Sequence, residues 1–441
     1  MAPRIWRPVL RAAAFATAAY GILVFVVRPL SGHFSGDFED FNAYWGAAQA
    51  SLTHQDIYAP FTQQTQNVAL SGFDYPPIVA LLLTPIALMP FHAAATLWLL
   101  LQVSALLTGC IVAARTVLPS HWPRLELAVL CTFLFAPAVY NLWLGQMNPV
   151  VFLLVALALR SWMQGREVSC GSFIGAAAAI KLAPIVLLVL FLRRRWWRGA
   201  LAGTAVMALA AGGGVLAFGV HTSLEYVRSV IPVLSRDDGW LYNQSWAGVI
   251  NRLAAHSVLT FQPGIVWIRV IELALSTAGV AVAAWSVRPG HDDSTHRAAQ
   301  FGAGILAMLL AGSITWYSHD VHLLIPLAAS AVLATRITSQ RRMLLAAVLT
   351  ALAVTAVVAR VLIDMATMQK IVAVSQTPFW WPLLQISSLP ALSAAVLLAA
   401  TVLGLRDASD MNPQSAARFR RAPAGARWRA MHAGHIASDQ A

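Results

Sequence analysis

Apolar stretches of about 20 residues recur from one end of the chain to the other, separated by short polar segments. A helix rises 1.5 Å per residue, so a run of that length crosses the roughly 30 Å hydrocarbon core of a bilayer. The pattern predicts spans at approximately 9–27, 93–114, 125–140, 149–162, 199–219, 264–287, 298–317, 321–335, 342–363 and 383–404. Two stretches do not fit a single straight crossing. Ile78 to Met89, opened by Pro76 and Pro77, is short for a span and reads as a juxtamembrane helix at the outer surface. Gly171 to Leu192 is interrupted by Lys181-Leu-Ala-Pro184 and reads as two short helices, because helices broken at membrane depth are tolerated where they line a polar cavity. The expected fold class is all-α integral membrane, with about twelve transmembrane helices and both termini cytoplasmic.

Composition agrees with the pattern. The 441 residues are 59% hydrophobic and 11% charged, against roughly a quarter charged in a soluble domain, and the mean hydropathy is +0.67. The formal charge of +12 comes almost wholly from Arg, since Lys181 and Lys370 are the only lysines. The Arg residues sit in short patches between apolar runs, which is how a membrane protein sets its orientation, so no nucleic-acid partner is expected. Arg4, Arg7 and Arg11 precede the first apolar run, which reads as a retained signal anchor. Residues 31–75 then lie outside; they carry Asp37, Glu39, Asp40, Asp56 and Asp74 and no Lys or Arg. Keeping 78–89 at the surface leaves Arg115, Arg124, Arg160 and Arg166 inside, as the positive-inside bias requires. The chain therefore divides into a membrane unit, 1–404, with outer loops at 31–92 and 220–262, and an Arg-rich tail, 405–441, expected to be disordered and cytoplasmic. Cys110, Cys131 and Cys170 fall in or beside apolar segments and read as small buried residues, not as a disulfide or metal set.

This threading gathers the polar exceptions on the outer face. Asp40 is a carboxylate placed to take a proton from an attacking hydroxyl, or else part of a solvated acidic loop. Lys181 lies inside an apolar run, where an ammonium needs an anionic partner such as a lipid phosphate, unless it snorkels to the interface. Tyr75, the amides of Gln146 and Asn148, and Asn243 and Gln244 with Arg252 are candidates for hydrogen bonds to substrate. His319, Asp320 and His322 at the end of a helix suit polar contact better than metal ligation, and also fit an aromatic interfacial belt. Neither a metal nor a cofactor is expected. A transporter or glycolipid flippase is the alternative class, and it predicts polar groups at mid-depth along several helices. Beyond Lys181, the spans carry few ionisable groups, Glu272 among them.

Several of these segments, in order, resemble glycosyltransferase family 87. Asp40-Phe-Asn-Ala-Tyr-Trp-Gly-Ala-Ala-Gln-Ala50, Asp56-Ile-Tyr58 and Tyr75-Pro-Pro77 open the match. Gly145-Gln-Met-Asn148, Gly175 to Lys181-Leu-Ala-Pro184, Asn243-Gln-Ser245 and Trp316-Tyr-Ser-His-Asp320 continue it. The resemblance spans roughly residues 36–326. It implies a membrane enzyme of the glycosyltransferase C superfamily, with its active site in the outer-face loops. Asp40 would be the catalytic base, Lys181 would approach the phosphate of a polyprenyl-phosphate sugar, and His319 would lie at a substrate pocket. The implied reaction moves a hexose, above all mannose, from that lipid donor to a hydroxyl of a glycan, glycolipid or protein. A pentose donor such as arabinofuranose belongs to the same chemistry. The implied location is the plasma (inner) membrane, with the site on its periplasmic or extracytoplasmic side.

Overall fold

The computed structural model describes residues 6–34, 36, 38–59, 72–235, 243–255, 266–288, 293–335 and 388–410. The expected span 342–363 and the tail beyond Asp410 lie outside the described residues. Every regular element among them is helical. The first, α1, runs from Trp6 to Leu30 through a π-turn at Leu23–Val27. Two shorter helices follow, α2 (Glu39–Leu52) and α3 (Pro77–Ala87). Pro77 suits the first turn of α3, where a missing N–H costs nothing. At 11 residues, α3 is about 16 Å long, half a bilayer core. It packs on α2.

Next come α4 (Phe91–Val117), α5 (Arg124–Leu134) and α6 (Ala136–Leu144). The single crossing expected at 125–140 is in fact this α5–α6 pair, bent by 53°. Phe135 between them is extended, and Pro137 can neither donate to the carbonyl of Phe133 nor let its ring pass it. Then follow α7 (Asn148–Met163) and α8 (Glu167–Ile180). The break expected in 171–192 falls at Lys181, whose backbone is extended. A 3₁₀ segment, Ala183–Leu188, leads from there into α9 (Val189–Arg194).

Helix α10 runs from Trp197 to Leu234 and changes direction at Gly219, whose φ of 81° is left-handed. Residues 220–234, expected as the start of an outer loop, are thus helical. The remaining elements are α11 (Trp246–Ala255), α12 (Val266–Ser286), α13 (Ser294–Ala311), a 3₁₀ segment at Tyr317–Leu323, α14 (Leu324–Ala334) and α15 (Leu389–Asp410). Among the described residues four helices are long and apolar enough to cross a membrane, five if the bent pair counts as one.

Two features organise this bundle. Helix α13 is buried on all sides from Ala298 to Leu310, which fits a helix apolar all round. Helices α8 and α10 meet backbone to backbone at Gly171, Gly175, Gly199 and Gly203. A methyl group on Gly171 would stand 1.8 Å from the Gly199 carbonyl oxygen, and one on Gly175 2.3 Å from that of Gly203. This is small-xxx-small packing on both partners, the device by which helices associate in lipid. The opposite face of α10 presents Leu201, Leu209 and Leu216 outward, 71–89% exposed, a surface for acyl chains.

Candidate active site

A cavity of about 1600 Å³ opens between α2, the Gly72–Pro76 segment, the Gln146 turn, the Lys181 break and the segment 311–319. Each wall has a local cause. Phe38, in the left-handed region at φ 53°, starts α2, and its N–H donates to the Trp143 carbonyl. Phe41 stacks on Trp98, so the inner face of α2 is anchored and Asp40, one residue earlier, turns toward the cavity. Gly145 ends α6 in the left-handed region, where a side chain would collide with Phe41. Its carbonyl accepts from Trp98 Nε1 at 2.7 Å. That turn delivers Gln146, and Asn148 begins α7.

Five of the expected site residues meet in one hydrogen-bonded cluster. Gln146 Nε2 donates to Asp40 Oδ2 at 2.8 Å. Lys181 Nζ donates to Tyr75 OH at 3.3 Å, to Gln146 Oε1 at 3.5 Å and to Asn148 Oδ1 at 3.2 Å. Asn148 in turn donates to Asn141 Oδ1, and Asn141 donates to the carbonyl of Ser318 at 2.7 Å. The last bond ties the cluster to the 3₁₀ segment that bears His319. Lys181 is thus held by fixed protein dipoles at a helix break, not extended along a helix toward the interface.

His319 lines the cavity. Its Nε2 is buried with no hydrogen-bond partner among the described residues. The other candidates have different places. Asn243 Nδ2 donates to the Ser313 carbonyl, and its Oδ1 accepts from the N–H groups of Ser245 and Thr315. The Gln244 N–H donates to the Thr315 carbonyl at 2.6 Å. Both residues are buried and clamp the cavity wall at 313–316. Asp320 and His322 are buried behind that wall, with the His322 ring edge-on to Phe152. Arg252 belongs to α11, and its side chain lies outside the described residues.

Sequence reasoning placed Asp74 in the outer loop but gave it no part in the site. The structure puts it on the cavity wall beside Tyr75. Burial, then the charge of Asp74, push the Asp40 carboxyl up to about 7, against the pull of Lys181 and the Gln146 hydrogen bond. Burial raises Asp74 itself to about 6, again opposed by Lys181. Two carboxyls and one ammonium therefore share the cavity, with Asp40 poised near neutral pH. The only advance signal for Asp74 was its position just before Tyr75-Pro-Pro77 in a loop without basic residues.

A carboxylate able to accept a proton near pH 7 can deprotonate a hydroxyl, and a fixed cation bridged to it in the wall of the same large cavity can receive a phosphate. The profile of glycosyltransferase family 87 matches residues 73–313. A polyprenol-phosphate-mannose-dependent alpha-(1-2)-phosphatidylinositol pentamannoside mannosyltransferase of Mycolicibacterium smegmatis is 30% identical over 304 residues, covering 65% of this chain and 68% of that protein. Its counterpart in Mycobacterium tuberculosis is 27% identical over 302 residues, or 65% of this chain and 64% of that one. A phosphatidylinositol mannoside mannosyltransferase of Mycolicibacterium smegmatis, also polyprenol-phosphate-mannose-dependent, is 28% identical over 322 residues, 67% and 70% of the two chains.

Proposed function

Because the chain belongs to glycosyltransferase family 87, and is thus a multi-pass membrane glycosyltransferase, we propose that it transfers mannose from a polyprenyl phosphate to a hydroxyl of a glycolipid acceptor. The donor follows the relatives named as polyprenol-phosphate-mannose-dependent. A phosphatidylinositol mannoside is the acceptor named for those relatives and the first to test here. The observation that carries the reading is the cluster of Asp40, Gln146, Tyr75 and Lys181 in one cavity.

In the reaction the acceptor oxygen attacks the anomeric carbon and its proton passes to Asp40. The bond from that carbon to the phosphate oxygen breaks, and its electron pair leaves with the phosphate. Lys181 stabilises the growing negative charge, and the low-polarity surroundings strengthen the effect. His319 borders the same space and offers a ring nitrogen to a sugar hydroxyl. The site faces the side away from the cytoplasm, supported by the absence of Lys and Arg from residues 31–75 and the positive-inside bias. About twelve crossings with both termini cytoplasmic complete this topology, in the plasma membrane.

The test is transfer of radiolabelled mannose from polyprenyl phosphate to phosphatidylinositol mannosides in membranes containing the protein. Asp40→Asn keeps the shape and removes the base, and is expected to slow turnover about 10²–10⁴-fold. Glu39→Gln, on the same helical turn, is expected to be far milder. Wild-type turnover in Asp40→Asn would place the base elsewhere.

A further inference from the structure

Gln146 makes contacts that leave little of it for a substrate. A glutamine amide offers one acceptor oxygen and two N–H donors. Its Oε1 lies 3.1 Å from Tyr75 OH, 3.3 Å from Tyr44 OH and 3.5 Å from Lys181 Nζ. Lys181 and Tyr75 donate to it, while Tyr44, whose one proton also reaches Tyr75 OH at 3.0 Å, can serve only one of the two acceptors. Its Nε2 donates to Asp40 Oδ2 at 2.8 Å. Turning the amide over would set N–H groups against the ammonium and an oxygen against the carboxylate, so these two charged partners favour one orientation. The backbone is held as well, since Gln102 Nε2 donates to the Gln146 carbonyl. Only 5% of the residue is exposed.

We propose that Gln146 is a positioning residue: its amide fixes the Asp40 carboxylate relative to Lys181 and does not bind the sugar. The inference deepens the transferase reading and rests on it for the reaction in which Asp40 acts. A rigid link of this kind matters because a misplacement of about 1 Å at a reacting group can cost about 10²-fold in rate. The groups that face Asp40 are Asp74 from the segment before α3, Lys181 from the break after α8, and Glu39 on its own helix. All of them keep their own charge in Gln146→Leu, whereas Gln146→Glu adds a carboxylate beside Asp40, so the two variants separate loss of the donor from added charge.

The experiment uses the full chain in lipid nanodiscs and two variants. Gln146→Leu removes the donor to Asp40. Gln146→Glu keeps the size and the acceptor toward Tyr44, Tyr75 and Lys181 but replaces that donor with a carboxylate. Protonation of Asp40 is read without substrate, as the pH dependence of its labelling by dicyclohexylcarbodiimide, located by mass spectrometry. The labelling midpoint is expected to move to higher pH by about one unit in Gln146→Leu, the scale of one hydrogen bond to a charged group. It should move further in Gln146→Glu. In mannose transfer, kcat should fall about 10²-fold with KM for the donor unchanged. Elution profile and melting temperature establish that each variant is folded, and either variant alone suffices for the midpoint. An unmoved midpoint, or a raised KM with kcat intact, overturns the proposal and returns Gln146 to the substrate. A moved midpoint in a protein whose wild type transfers no mannose upholds the positioning role and overturns the transferase reading instead.

Discussion

Asp74 shows what one charge does to its neighbour. Its carboxylate opposes ionisation of Asp40, so removing it favours the ionised form. Asp74→Asn should therefore move the acid limb of the pH–rate profile to lower pH, while the plateau rate falls because a base of lower pKa takes a proton less readily. Lys181 acts with the opposite sign. Without its positive charge Asp40 is harder to ionise, so Lys181→Ala should move the acid limb to higher pH and weaken use of the lipid donor strongly. Lys181→Arg should recover part of that loss, since the charge returns in a different geometry. Unshifted limbs in both variants would show that these three groups do not share one field. Asp40 and Lys181 were legible in the sequence because each is chemically out of place, an acid in a Lys- and Arg-free loop and an ammonium in an apolar run. Asp74 was not, because its nearness to Asp40 depends on where the tertiary fold places the Gly72–Pro76 segment. No periodicity encodes that placement.

Among the elements, the glycines of α8 and α10 have the clearest consequence. Helix α8 ends at Ile180, so its packing on α10 also sets where Lys181 emerges. Gly175→Leu would force a side chain into the Gly203 carbonyl. Overpacking of this kind costs about 1–3 kcal/mol and sometimes more, so a lowered melting temperature in detergent is expected. Gly212→Leu, where no atom lies within 4 Å, is the matched control and should melt near wild type. Equal melting temperatures would mean that the two helices are not in contact. The break at Lys181 was visible because a charge and Pro184 coincide in an apolar run. The bend at Phe135 carried a Pro signal too, in Pro137, but continuous hydrophobicity across 125–140 masked it. Hydropathy counts apolar side chains, whereas direction depends on single backbone hydrogen bonds. The same reason explains why α10 was expected to end near residue 219, where Gly219 turns the helix but does not stop it.

At the scale of the whole molecule, apolar length was the strongest signal, and the structure bears it out in α1, α4, α10 and α12. The shorter apolar helices α3, α7 and α8 follow less well from a count of 20-residue runs, because a buried helix needs partners more than length. The proposed orientation rests on charge. Single cysteines at exposed Thr53 and at Gly165, in the turn between α7 and α8, should react from opposite sides with a membrane-impermeant maleimide, Thr53 from outside. Reaction of both from one side would overturn the proposed threading. The large cavity bears on the order of events. At about 1600 Å³ it exceeds the 300–1000 Å³ usual for a small-ligand pocket, room for two sugar headgroups at once. Under the proposed roles, Asp40 as base and Lys181 as counter-charge would serve both substrates in one encounter, and neither would be asked to hold the sugar between them. Initial rates measured against donor at several fixed acceptor concentrations should therefore give intersecting reciprocal lines, the signature of a ternary complex. Such an enzyme commits its donor only when an acceptor is already seated, so water gains little from a vacant site.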